Sequence, residues 1–170
     1  MKGFTLVEIL VVIAIMGILG IIGFINYQTF QATQVLNEGV SLVQSTLRAA
    51  QSNATAAVKC QNLGGATWQV SFDNSMIFNL KCKTATSTTS IQRSYNLPTN
   101  VQILSISSSG CDALYPFSVN FSPLFGAVSF ESSASCVVSQ NAFNIRVTNT
   151  KTSETKFVTV TKGGAIDAQK

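Results

Sequence analysis

The sequence predicts an α+β protein in which one long N-terminal helix packs on a C-terminal antiparallel β-sheet head. Three observations predict it. Phe4 to Ile25 form an apolar run of 22 residues whose one ionisable side chain is Glu8. Behind that run, apolar residues recur at spacings of three and four as far as Ala57. From Cys60 onward the period falls to two, the period of strands.

Residues 4–25 come first. At about 1.5 Å rise per residue they reach roughly 33 Å as a helix, enough to cross a hydrocarbon core of about 30 Å. A membrane span is therefore expected, with Lys2 on the cytoplasmic side. An ordinary secretory signal fits poorly, because it needs an apolar stretch of about 7–15 residues followed by a small-x-small cleavage site. Glu8 is the anomaly. A carboxylate in a membrane helix costs up to ~3 kcal/mol, moderated here by its place near the helix N-terminus, which favours negative charge. It still requires a compensating role. Gly17, Gly20 and Gly23 lie in the same run. Each weakens the helix by about 1 kcal/mol relative to alanine, or lets neighbouring helices pack closely.

Residues 26–58 continue the helix as its amphipathic half. Ala32, Val35, Leu36, Gly39, Leu42, Val43, Thr46, Leu47, Ala50, Ala54 and Ala57 make one apolar stripe, and no proline interrupts it. That face is expected to lie on the sheet and give it a core.

Residues 59–170 are expected to form one β-rich head, large enough to hold its own core. Thr67–Phe72, Asn100–Ile103, Phe117–Phe121, Ala142–Val147 and Lys156–Val160 read as strands. Asp73-Asn74-Ser75 reads as a turn between two short strands, and Ser107–Gly110 as a loop. The Ser/Thr stretch Thr84–Ser90 reads as a surface loop.

Four cysteines, Cys60, Cys82, Cys111 and Cys136, all lie outside the apolar run. An even count in an exported chain favours disulfides, and three full pairings exist. Sequential pairing, Cys60–Cys82 and Cys111–Cys136, closes two loops of moderate size, each contributing roughly 3 kcal/mol. Metal binding has little support: there is no histidine and no CxxC pair. No cofactor or metal is expected.

The absence of histidine also removes the common Ser-His-Asp and Cys-His arrangements. No phosphate-cradling glycine loop is present, and Gly64-Gly65 and Gly163-Gly164 read as turn glycines. The chain is not expected to be an enzyme.

The junction Lys2-Gly3-Phe4-Thr5-Leu6-Val7-Glu8 resembles the class III signal of type IV pilins and pseudopilins. In that family a glycine precedes the cut, a phenylalanine begins the mature chain, and a glutamate follows four residues later. The resemblance implies a leader of residues 1–3, prepilin peptidase cleavage between Gly3 and Phe4, and N-methylation of Phe4 by the same processing enzyme. It implies that residues 4–25 serve first as an inner-membrane anchor and then as a filament core. There Glu8 would meet the cationic amino group of Phe4 from a neighbouring subunit. Pairing two charges in a low-dielectric core is favoured far over leaving either alone. Many members carry proline where Ile25 stands, so the point at which this helix would unwind during assembly differs.

Three further segments are similar to the GspH/FimT family of minor pilins and pseudopilins: Leu47–Ala54, the Phe121–Gly126 turn, and the close Phe157–Val160 with Gly163-Gly164. The function implied is a structural subunit, a minor pilin or pseudopilin, of a type IV pilus or type II secretion pseudopilus. Its partners would be other pilin or pseudopilin subunits, the prepilin peptidase/N-methyltransferase, the inner-membrane assembly platform and the inner membrane. Its place would be the bacterial inner membrane, head outside the cytoplasm, and then a surface pilus or periplasmic pseudopilus. A major pilin is a second alternative.

The net charge is +4, with Lys151, Lys156 and Lys162 near the C-terminus. Basic surface holds phosphate backbones, and some FimT-like minor pilins take up DNA through a C-terminal Gly-Arg-x-Arg motif. The corresponding Thr161–Ile166 lacks both arginines, and Glu154 and Asp167 dilute the cluster. A DNA-binding minor pilin that uses these lysines is thus the alternative, and a solvated basic face the simpler reading.

Overall fold

A computed structural model describes residues 5–62, 64–84, 89–108, 111–113, 115–132 and 141–169, with side chains at 21–26, 106, 108 and 111–113 outside that description. Its architecture is the α+β arrangement expected, a helix followed by an antiparallel β domain. Helix α1 runs unbroken over Leu6–Thr55, 50 residues or about 75 Å. Among the described residues ten strands follow: β1 (Thr67–Phe72), β2 (Ile77–Lys83), β3 (Thr89–Asn96), β4 (Val101–Ser108), β5 (Cys111–Ala113), β6 (Phe117–Phe121), β7 (Val128–Ser132), β8 (Ala142–Asn149), β9 (Thr155–Thr161) and β10 (Ile166–Ala168). They form two five-stranded antiparallel sheets, ordered β3-β2-β1-β6-β7 and β10-β9-β8-β4-β5.

The core lies where the second half of α1 meets both sheets. Leu36, Val40, Val43, Leu47, Ala50 and Ala54 are buried, and their alternating spacing of four and three keeps them on one face. Val40 belongs to that face although the sequence reading omitted it. Burying each large side chain contributes about 1.5–3 kcal/mol relative to exposure. Gly39 is required by contact: an added Cβ would lie 2.8 Å from Val101 Cγ1.

In the first sheet the alternation of β1 and β6 sends Trp68, Val70, Phe72, Phe117, Val119 and Phe121 to the core. Tyr115, Phe117, Phe72, Phe78 and Tyr95 stack in a ladder across it, at centroid spacings of 5.7, 4.5, 5.5 and 5.3 Å. Tyr115 closes the end of this ladder, its hydroxyl donating to the Ile103 carbonyl, and burial pushes its phenol above the ordinary value. Phe130 of the first sheet meets Phe143 of the second edge-on at 4.6 Å. That contact joins the two sheets.

Three boundaries differ from expectation. The helix stops at Thr55, not Ala57, because Ala57 turns left-handed at φ 51°. Beyond it the Val58 carbonyl accepts from Trp68 Nε1 at 3.2 Å, and Cys60 is bonded to Cys82. Both ties pull the chain off the helix axis. Ser107 and Ser108 pair with Asp112 and Cys111 in a β-ladder and are not loop residues. In the expected Thr84–Ser90 loop, Thr84 is buried and Thr89 and Ser90 open β3; residues 85–88 lie outside the described residues.

The Phe121–Gly126 segment forms a turn that closes the far end of the helix. Leu124 N–H donates to the Ala54 carbonyl at 3.4 Å, and Gly126, at φ +61°, lies so close that an added Cβ would sit 2.9 Å from Thr55 Cγ2. From the other side Gln51 Nε2 donates to the Gly164 carbonyl at 2.9 Å and Arg48 Nη2 to the Ile166 carbonyl at 3.1 Å. The end of the chain is thereby tied to the helix.

Candidate functional site

The start of α1 is built by a reciprocal cap. Thr5 has extended backbone, as an N-cap residue must. Its hydroxyl oxygen accepts from the Glu8 N–H at 3.3 Å, while the Glu8 carboxylate accepts from Thr5 N–H at 2.9 Å and from the Thr5 hydroxyl at 2.9 Å. This capping box satisfies two backbone donors that the first helical turn leaves without partners. It also holds the carboxylate against the Thr5 amide and hydroxyl at the head of the helix. The pattern Thr5-x-x-Glu8 before an apolar run is itself a cap signature; the sequence reading passed over it. Gly3 and Phe4, the expected cleavage and methylation positions, lie outside the described residues.

Residues 5–20, at the start of α1, are all exposed. Leu6, Ile13 and Leu19 are 80%, 65% and 63% exposed, and Val7, Ile9, Leu10, Ile15, Met16 and Ile18 are exposed with them. A helix apolar all round is not stable in water without a partner or a membrane. Among the described residues no helix is long and apolar enough to cross a membrane. The described run of exposed apolar side chains that begins at Leu6 reaches Leu19, and the helical backbone continues beyond it.

Cys60 and Cys82 form the first bridge of the sequential pairing, with Cα atoms 5.9 Å apart. Cys136 and the side chain of Cys111 lie outside the described residues. No group of three or more His, Cys, Asp or Glu that could hold a metal occurs among the described residues.

The three C-terminal lysines are not brought together. Lys151 lies in the turn after β8, Lys156 in β9 with its Nζ donating to Asn37 Oδ1 at 2.6 Å, and Lys162 just past the end of β9. Lys156 and Lys162 are thus separated by roughly 20 Å along the strand, at ~3.3 Å per residue.

Sequence reasoning missed one polar cluster entirely. Asp73 accepts from Asn79 Nδ2 at 2.6 Å and from the Ser71 hydroxyl, and pairs with Lys81 Nζ at 3.2 Å. Burial raises the Asp73 carboxyl, but bonds from Ser71, Asn79 and Lys81 and the lysine charge outweigh it and hold the group below its ordinary value. The cluster closes the β1–β2 turn.

A helix with a capped, acid-bearing start, an exposed apolar first half and a head around its second half is the geometry on which the comparison bears. Residues 1–24 match the prokaryotic N-terminal methylation motif. The match supports a type IV pilin-like, prepilin-type protein and points to a structural subunit rather than an enzyme. Such a motif implies processing by a prepilin peptidase and assembly with other pilins. No curated protein and no solved structure matches the chain.

Proposed function

We propose that this pilin-type chain is a minor pilin or pseudopilin of the GspH/FimT type. It is cleaved between Gly3 and Phe4, methylated on Phe4, anchored in the inner membrane by residues 4–25, and drawn into a pilus or pseudopilus by packing of that helix. The observation that carries this reading is the conjunction of the N-terminal methylation motif with a helix whose large apolar side chains from Leu6 to Leu19 are all exposed. That surface requires another occupant, and a bundle of like helices or lipid supplies one.

Glu8 then has two successive partners. In the single chain its carboxylate is held by Thr5. In the bundle it faces the Phe4 amino group of a neighbour, and the charge pair fixes the stagger between subunits. The head, tied to the helix by Arg48 and Gln51, is carried as one piece to the filament surface. The Phe121–Gly126 turn on the helix end and the C-terminal segment beside it support the GspH/FimT subtype. The test is the partition of the native chain between sheared surface filaments and residual membranes. A minor pilin is present in the filaments at a small ratio to other pilins, a pseudopilin stays with the membrane, and a chain dominant in the filaments contradicts the minor role.

A further inference from the structure

Where α1 enters the head, its residues Tyr27–Val35 and the loops at Thr99–Asn100 and Asn149–Thr152 enclose a groove of about 810 Å³. We propose that this groove is a phospholipid site, seating the phosphate headgroup of a lipid from the outer leaflet of the anchoring membrane against Lys151. The inference rests on membrane anchorage through residues 4–25.

Depth is the first argument. The apolar run ends at Ile25, and the groove's helical wall begins two residues later at Tyr27. Ala32, whose carbonyl accepts from Asn149 Nδ2 at 3.0 Å, lies seven residues beyond Ile25, or about 10 Å along the helix. The headgroup layer on each side of a bilayer is roughly 5–8 Å thick. When the run fills the hydrocarbon core, the groove's helical wall therefore starts inside that layer, about 3 Å out at Tyr27, and reaches its outer edge at Ala32.

Chemistry is the second. The lining mixes aromatic and polar groups: exposed Tyr27 and Phe30 flank Gln28 and Thr29 along the helical wall, and aromatic residues favour the membrane interface. Gln31, Asn100 and Thr152 lie among the polar groups of the same lining. Lys151 is the sole charged lining residue, and among the described residues the salt bridge is Lys81–Asp73, which leaves Lys151 without a carboxylate. The nearby acid, Glu154, instead accepts from the Thr33 hydroxyl at 2.8 Å. The Lys151 loop is also fixed. Asn149 Oδ1 accepts from Lys151 N–H at 2.9 Å and from Thr152 N–H at 3.4 Å, and Thr150 N–H donates to the Asn100 carbonyl at 2.8 Å. An exposed cation on a held loop, a lysine's reach from the membrane surface, meets an anionic headgroup at little ordering cost.

The experiment places a photoreactive p-benzoylphenylalanine at Gln31 in the full chain in its native membrane and reads the adduct by mass spectrometry. The expected product is a phospholipid adduct whose yield falls about fivefold in Lys151→Gln and returns in Lys151→Arg. An adduct to another protein in place of lipid overturns the proposal, as does a lipid yield indifferent to Lys151→Gln. Failure of the parent reading is distinguishable: a chain lost from membranes on alkaline carbonate washing overturns anchorage and this site together. A retained chain without a lipid adduct overturns this site alone.

Discussion

Thr5 and Glu8 cap one another, the threonine hydroxyl accepting from the Glu8 amide and the Glu8 carboxylate accepting from the Thr5 amide at 2.9 Å. The acid that the apolar run would otherwise have to tolerate is therefore part of what starts the helix. Cap and charge are separable. Glu8→Gln keeps a residue able to complete the box but removes the charge. Incorporation into filaments should fall at least about tenfold, because an unpaired buried charge costs ~3 kcal/mol or more. Thr5→Ala removes about 1 kcal/mol of capping and keeps the charge, so it should reduce incorporation far less. Immunoblots of sheared filaments measure both; equal losses would assign Glu8 to the cap alone.

The Cys60–Cys82 bridge ties the exit of the helix to β2 across 22 residues of sequence. Replacing both cysteines by serine should destabilise the head by about 3 kcal/mol. Thermal unfolding of the detergent-solubilised chain, with and without reductant, checks this, and the double variant should show no response to reductant at this bridge.

Gly126 carries two separate demands, a left-handed φ of +61° and a Cβ position 2.9 Å from Thr55 Cγ2. Gly126→Ala should cost more than about 1 kcal/mol. Thr55→Ser deletes the clashing methyl and retains the hydroxyl that bonds Gln51 and Ser52 carbonyls. In a double-mutant cycle it should recover the steric part and leave the backbone part. A strictly additive pair would contradict the contact.

Asp73 sets an acid limb. Its folded carboxyl titrates below the ordinary 3.8, so its contribution is complete above that value and is lost as pH falls from there toward the lower folded value. Stability measured against pH should bend downward below about 4, and Asp73→Asn should flatten that limb while leaving neutral-pH behaviour less changed than its acid response.

Much of this fold was legible because side chains declared it locally. Thr67–Phe72 and Phe117–Phe121 were read to the residue, since each alternates large core side chains with polar ones. Thr89–Asn96 escaped because it is an edge strand with a mostly exposed pattern, and β-periodicity fades where neither face is buried. The division into two sheets was not readable, because it depends on pairings distant in sequence, such as Trp68 with Phe121 and Ile103 with Val147. The same holds for the site. Glu8 announced itself as a lone acid in an apolar run, whereas the groove at Lys151 exists only after two loops are brought beside Ala32.

The central claim is that the mature chain begins at a methylated Phe4 and is held in its assembly through Glu8. The most direct test is the mass of the N-terminal peptide from the native protein. The expected peptide starts at Phe4 and carries one methyl group, with no trace of Met1, Lys2 or Gly3 in assembled material. A native chain that retains Met1 or Lys2 would contradict it.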